Sequence, residues 1–326
     1  MNLRIPLTRK VHPRRRGMPA DEHRSQNLIE PTSQSSAEYW DSVYRERDLN
    51  SIVDQYRQAA ALHLVDALQL PKESHVLELG CGAGVLTIAL ARRKYIVSAI
   101  DRVRASLDLV HQRAINVGLQ DRIITRAGDI HSLESEHQSF DLIIALGVLP
   151  WLKSPAAGMS DITRMLKPGG YAIMTVHNRW RINHFLDLRS NPLMSMIREA
   201  ANNLLETLKL KKPDPGPSFP QMHSIKEFDS LITSMGLNKS AGRTIAFGPI
   251  TLMNKRIFSD STGKTIHRLF QRMAERNVPL IRSAGSQYLV LAQKPESVPH
   301  QNPVTAKVLA EPDLAKTESY PSQQQA

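Results

Sequence analysis

Apolar and polar positions alternate along this chain in two distinct periods. Short apolar runs of strand type, His75–Leu79, Tyr95–Ile100, Arg122–Arg126, Asp141–Leu146 and Tyr171–His177, are separated by stretches of helical period. Ser51 and Asp54 are suited to open a helix that carries Ala59, Leu62, Val65 and Leu68 on one side and stops before Pro71. A second helix follows near Val85–Arg93, a third ends at Gly118, and a fourth runs over Pro155–Leu166 into Lys167-Pro168-Gly169-Gly170. Strands and helices that alternate at this spacing predict right-handed crossovers and a parallel sheet covered on both faces.

The second half is less regular. Asn191-Pro192 is a helix start, and the helix is stopped by Pro213-Asp214-Pro215-Gly216-Pro217. Ser224 and Glu227 form a capping-box pattern ahead of Phe228, Leu231, Ile232 and Met235, and Gly236 closes that helix. Ala241–Phe247 and Gln287–Ala292 read as two closing strands, with residues 250–283 inserted between them. Residues 178–222 form another insertion. Residues 1–36 and 296–326 lack an apolar period and are expected to be disordered tails around one domain, 37–295.

Charge and composition narrow the class. The net charge is +11. Residues 1–24 hold seven Arg and Lys against two acids, and residues 296–326 hold two Lys against four acids. Most of the positive charge therefore belongs to the domain, which favours anionic ligands or surfaces. No apolar run approaches the ~20 residues of a membrane span, and Met1–Lys10 has no secretory pattern. The single cysteine, Cys81, excludes an internal disulfide and fits a cytoplasmic protein. No cluster of acids and histidines suggests a metal.

The chemistry concentrates at Val76-Leu77-Glu78-Leu79-Gly80-Cys81-Gly82-Ala83-Gly84, where a strand enters a helix. Glycines allow a sharp turn and a close backbone approach to a ligand, and the helix N-terminus favours an anionic group. A nicotinamide site would require G-x-G-x-x-G. Val85 stands where its last glycine should be, and an acid, Glu78, precedes the first glycine. Asp101 ends the second strand, where a carboxylate accepts ribose hydroxyls. Asp129-Ile130 follows the third strand, and Leu146-Gly147-Val148-Leu149-Pro150-Trp151 follows the fourth.

Glu78-x-Gly80-x-Gly82-x-Gly84, Asp101, Asp129-Ile130, Phe140-Asp141 and Leu166-Lys167-Pro168-Gly169-Gly170, in this order, resemble the motif series of class I S-adenosylmethionine-dependent methyltransferases. The resemblance covers roughly residues 70–180. It implies an α/β, Rossmann-like fold with a seven-stranded sheet of order 3-2-1-4-5-7-6, the seventh strand antiparallel at Gln287–Ala292. It also implies S-adenosylmethionine as cofactor. Gly80, Cys81 and Gly82 would line its methionine part. Glu78 would hold the loop or the amino group, Asp101 the ribose, Asp129 and Ile130 the adenine, and Leu146 would close over it. Asp141 singly is also a common strand-end residue.

The run Gly147–Leu152 is most similar to small-molecule methyltransferases, including ubiquinone-pathway O-methyltransferases. The absence of Asn-Pro-Pro-Tyr at this place argues against a nucleic-acid acceptor. A hydroxyl acceptor calls for a general base, and His177, at the end of the fifth strand, is the first candidate, with His223 as the second. The acceptor pocket would be built from the region near Tyr39-Trp40, from 178–222 and from 250–283. The last of these carries Ile266, Leu269, Phe270 and Met273 at helical spacing, with Lys264, Arg268 and Arg272 largely elsewhere. Such a helix either packs on its own domain or touches an anionic membrane. The rival to an enzyme of this kind is a non-catalytic or RNA-directed binding protein on the same fold.

Overall fold

The computed structural model describes residues 48–132, 137–185, 220–252 and 255–296, together with Asn191 and isolated helical positions between 194 and 207. Residues 1–47 and 297–326, and most of 178–222 beyond Phe185, lie outside the described residues. The expectations for both tails, for Tyr39-Trp40 and for the helix after Asn191 fall there almost entirely. Asn191 itself accepts from the Met194 N–H at 3.4 Å, as the residue opening a helix does.

Chain order gives α1 (Leu49–Leu68), β1 (His75–Leu79), α2 (Val85–Arg92), β2 (Ile96–Asp101), α3 (Arg104–Asn116) and β3 (Ile123–Ala127). Then come β4 (Phe140–Ala145), α4 (Pro155–Met165), β5 (Leu166–Asn178), β6 (Met222–His223) and α5 (Ile225–Ser234). The chain continues with β7 (Asn238–Ile245), a two-residue hairpin of β8 (Thr251–Leu252) and β9 (Lys255–Arg256), α6 (Asp260–Glu275) and β10 (Gln287–Gln293). The sheet order is β3-β2-β1-β4-β5-β10-β7, with β6 added beside β5. This is the expected order, with β10 as the antiparallel seventh strand. The two-residue β6 makes the sheet eight-stranded.

Two buried layers follow from the alternation of side chains across the strands. Leu77, Ile143, Ala172, Met174 and Val290 face α4 and α5, where Met159, Ile162, Phe228 and Ile232 complete a core. Val76, Leu142, Ile144, Ile173 and Leu289 face α1 and α2 and meet Leu64, Val65, Leu86 and Leu90. The capping box of α5 forms in both directions: the Glu227 N–H donates to Ser224 Oγ at 3.2 Å, and the Ser224 N–H to Glu227 Oε2 at 2.9 Å. No described helix is long and apolar enough to cross a membrane.

Three elements depart from the sequence reading. Helix α1 starts at Leu49, because Asp48 accepts from the Ser51 N–H at 2.7 Å and so takes the capping role expected of Ser51. Its buried side also runs through Ala60, Ala61 and Leu64, and its first half buries Asp54, Arg57 and Gln58. The Lys167–Gly170 stretch is not a terminator outside the sheet. Strand β5 pairs Leu166 with Phe140 and then Tyr171 with Leu142, so the intervening residues bulge within the strand.

Helix α6 is the third departure. It packs on its own domain, as one of the two readings had it, but the stripe of Ile266, Leu269, Phe270 and Met273 is not its buried side. The buried residues are His267, Gln271 and Ala274. Gln271 Oε1 accepts from the Ala246 N–H at 3.1 Å, and His267 Nδ1 lies 3.1 Å from both the N–H and the carbonyl of Phe247. Polar side chains are needed here because β7 ends at Ile245, and the amides beyond it have no strand to pair with. Burial pushes the His267 pKa down to about 4, so the ring stays neutral in this role.

The candidate cofactor and acceptor site

The Gly-rich turn sits at the carboxyl end of β1, the edge where open α/β sheets bind ligands. Gly80, Gly82 and Gly84 all have positive φ, between 50° and 76°. Side chains are disfavoured there, and a Cβ on Gly80 would lie 2.7 Å from Val148 Cγ2. The turn is fastened to β2, since the Gly80 and Cys81 N–H groups donate to the Ile100 carbonyl at 2.8 and 3.1 Å. From α3, the Arg113 guanidinium donates to the Ala83 carbonyl and braces the turn from outside.

Asp101 organises the same corner. One carboxylate oxygen accepts from the Gly82 N–H at 2.8 Å and the other from the Val103 N–H at 2.9 Å. Each oxygen has a second lone pair, so the carboxylate remains able to accept two ribose hydroxyls.

Glu78 lies underneath, 4% exposed. Its Oε2 accepts from Thr87 Oγ1 at 2.6 Å, which ties β1 to the first turn of α2. Burial raises its pKa to about 8, the Thr87 hydrogen bond opposes the rise, and the Asp101 charge adds to it. The folded state thus keeps a proton that the unfolded chain releases near pH 4.5. Stability from this group is fully present below pH 4.5 and is lost as pH rises through about 8. Glu78→Gln is expected to remove that dependence. Chemical denaturation should show the variant gaining on wild type by more than ~1 kcal/mol between pH 5 and 8, as a shift of this size implies. Parallel curves would refute a protonated Glu78.

Cys81 is 6% exposed, and burial with the nearby Glu78 and Asp101 raises its thiol pKa, so it lines the turn as a protonated group. Asp129 is half-buried and accepts from the His131 N–H at 3.3 Å, with Arg102 Nε 3.7 Å from its other oxygen. Ile130 is 3% exposed and belongs to the core layer beside Leu152 and Met159. Leu146 is half-buried at the end of β4, partly packed against the layer under α1.

One residue at this edge has no motif to announce it. Arg57, from α1, is 8% exposed and paired with Asp54 at 3.2 Å. Its Nη1 lies 3.1 Å from where a Cβ on Gly147 would be, so the guanidinium covers the backbone at the end of β4. The Gly147 N–H is held from the other side by Thr175 Oγ1 at 2.8 Å. A signal did exist in the sequence, as Asp54 and Arg57 fall at helical spacing on the side of α1 that carries Ala61, Leu64 and Leu68.

The two histidines expected as bases stand at the carboxyl end of β5, beside the end of β4. His177 pairs across the sheet with Gln287 and with Met222, and His223 pairs with Asn178. The two histidines therefore flank the same strand end. Burial lowers the His223 pKa, and its ring meets Phe228 edge-on at 6.0 Å. Trp151 and Trp180 stand nearby in sequence, 46% and 43% exposed.

Asp141 and Lys167 sit at the other end of the sheet. Lys167 Nζ is 2.9 Å from both Asp141 oxygens, and Asp141 Oδ2 accepts from the His75 N–H at 2.8 Å. These residues fix the register of β1, β4 and β5 and lie away from the ligand edge. Among the described residues no group of His, Cys, Asp and Glu could hold a metal ion.

Residues 77–174 match the methyltransferase domain family. A ubiquinone biosynthesis O-methyltransferase from Paracidovorax citrulli is 30% identical over 148 residues, covering 45% of this chain and 60% of that protein. One from Coxiella burnetii is 29% identical over 130 residues, 36% of this chain and 53% of that protein. The chain thus spans about half to three fifths of the length of these relatives. Among solved structures, a protein assigned as a sarcosine dimethylglycine methyltransferase in Galdieria sulphuraria has a TM-score of 0.50 at 15% identity, over 81% of this chain and 100% of that one. The methyltransferase solved with the Haloferax volcanii Trm112 activator has a TM-score of 0.52 at 15% identity, over 81% and 97%. Both show the same fold. Residues 77–174 are a methyltransferase domain of the class I, S-adenosylmethionine-dependent family.

Proposed function

We propose that the whole protein transfers a methyl group from S-adenosylmethionine to an oxygen of a small acceptor of lipid, quinone or saccharide type. The observation that carries this reading is the corner formed by Gly82, Asp101 and the start of α2. There a carboxylate is held by two backbone amides with lone pairs to spare, beside a turn that side chains would close. The oxygen acceptor rests on the likeness to ubiquinone biosynthesis O-methyltransferases.

When bound, S-adenosylmethionine supplies an activated methyl on a sulfonium sulfur. Asp101 would hold the ribose, Asp129 the adenine amino group with Ile130 beneath the ring, and Gly80, Cys81 and Gly82 the methionine part. Arg57 adds a cation for the carboxylate of that part. His177, or the neutral His223, would accept the hydroxyl proton as the acceptor oxygen forms its bond to carbon and the carbon–sulfur bond breaks. S-adenosylhomocysteine and the methyl ether are the products, and the proton stays on the histidine until solvent takes it.

Incubation with labelled S-adenosylmethionine and a panel of catechols tests the reading. Transfer is expected in wild type, with kcat reduced ~100-fold or more in His177→Ala, the usual scale of general base catalysis. Cofactor binding without transfer to any hydroxyl acceptor would instead favour a binding protein on this fold. Contact with an anionic membrane through α6 is the outer part of the proposal. Leu269 is 54% exposed there among Arg268, Arg272 and Arg276, and flotation on anionic vesicles tests it.

A further inference from the structure

Four strands from the Gly-rich turn, a cavity of about 280 Å³ opens beside the edge strand β7, between α6 and the start of β10. Three cations and one acid line it: Lys239, Arg243, Arg282 and Glu275. Their partners divide them sharply. Lys239 is engaged by Asp229 and lies 3.4 Å from the Tyr288 hydroxyl. Glu275 is turned towards α1, where it accepts from the Tyr56 hydroxyl, and Gln271 Nε2 donates to it at 3.3 Å. The two guanidinium groups are left over. Neither Arg243 nor Arg282 has an acid at ion-pair distance among the described residues. Nε and Nη2 of Arg243 are buried without any hydrogen-bond partner.

A guanidinium carries five donors and cannot shed its charge. Withdrawing the Arg243 Nε and Nη2 donors from water without an acceptor is strongly unfavourable, whereas the exposed Arg282 keeps its water. The fold nevertheless builds the arrangement firmly. Arg243 lies in a strand paired through Leu289 of β10, and Thr244 Oγ1 donates to the Arg282 carbonyl at 2.7 Å, which fixes the loop that brings Arg282 in. Asn277 and Ser283 add neutral donors to the same wall. This set offers more donors than the two oxygens of a carboxylate can accept. It suits a group with three or more anionic oxygens, for which paired guanidinium forks are the usual partners.

We propose that this cavity is a binding site for a small phosphate-bearing anion, with Arg243 and Arg282 as its charged ligands. The site is separate from the methyl-transfer corner, and it stands whether or not the proposed activity does.

Calorimetric titration of the full chain with pyrophosphate, and with acetate at matched ionic strength, tests it. Wild type should show saturable, one-site binding of pyrophosphate and at least tenfold weaker binding of acetate. Arg243→Gln and Arg282→Glu should each weaken pyrophosphate at least tenfold. Arg268→Gln, on the outward side of α6, should leave it unchanged. Arg282 is exposed, so its variant remains decisive if Arg243→Gln fails to fold. Saturating S-adenosylhomocysteine should not compete. Absence of saturable binding in wild type, wild-type affinity in Arg282→Glu, acetate binding as tight as pyrophosphate, or competition by S-adenosylhomocysteine would each overturn the proposal.

Discussion

Asp101→Ala is expected to weaken S-adenosylhomocysteine binding by about 100-fold or more. Two ribose hydroxyls would lose a charged acceptor, and hydrogen bonds to charged groups contribute about 1.5–3 kcal/mol each, against 1.4 kcal/mol per tenfold in affinity. The same carboxylate also holds the Gly82 and Val103 amides. The turn should therefore loosen, and part of the loss would come from a corner no longer preorganised. Asn at this position is not a conservative control, because its amide would set a donor against one of those two N–H groups. Thermal unfolding separates the contributions, since a folded Asp101→Ala protein that binds like wild type would remove the ribose from this corner altogether.

The largest effect on stability is expected at Gly84. Its φ is +76°, and a Cβ there would lie 2.5 Å from Cγ2 of Val110, which is wholly buried in α3. A left-handed conformation disfavours alanine by about 1–2 kcal/mol. Overpacking against a fixed helix adds about 1–3 kcal/mol. Gly84→Ala should thus cost about 2–5 kcal/mol. Gly118 provides the comparison, with φ +67° and nothing within 4 Å of its Cβ position, so Gly118→Ala should show the backbone part alone. Val110→Ala in the Gly84→Ala background should recover the steric part, a coupling that a double-mutant cycle measures. Equal losses at Gly84 and Gly118 in denaturant unfolding would dismiss the clash.

The alternation of β1, α2, β2 and α3 was legible because β1 is a continuous buried run from Val76, β2 buries Val97, Ala99 and Ile100, and α3 buries one side through Ser106, Leu107, Val110 and Ala114. The motif series was legible for a different reason: a Gly-rich turn and a strand-end acid serve backbone geometry as much as a ligand. In a parallel sheet the position of a residue within its strand decides which edge it serves, and membership of a motif series does not. Asp141 and Lys167 stand in the same series as Asp101, yet they fix strand register at the opposite edge. Helix α6 was misleading in a more basic way. Apolar residues are normally the buried ones, but here the amides of Ala246 and Phe247 needed partners, and Gln271 and His267 took the inner side. Arg57 could be read only as a charge on the inner side of α1, because its neighbour Gly147 lies far along the chain and a helix that precedes the Gly-rich turn belongs to no motif.

Arg57 and Asp54 come from α1, outside the 77–174 stretch that matches the family. Helix α1 is held in turn by α6, through Asp260 accepting from the Leu49 N–H at 2.8 Å and through the Tyr56–Glu275 hydrogen bond. One side chain over the carboxyl end of β4 therefore comes from outside the family stretch, on a helix that α6 holds in place. If the cofactor binds at this edge as proposed, its residence time is expected to change with substitutions in the contact between α1 and α6, with no alteration to any glycine or carboxylate of the shared corner.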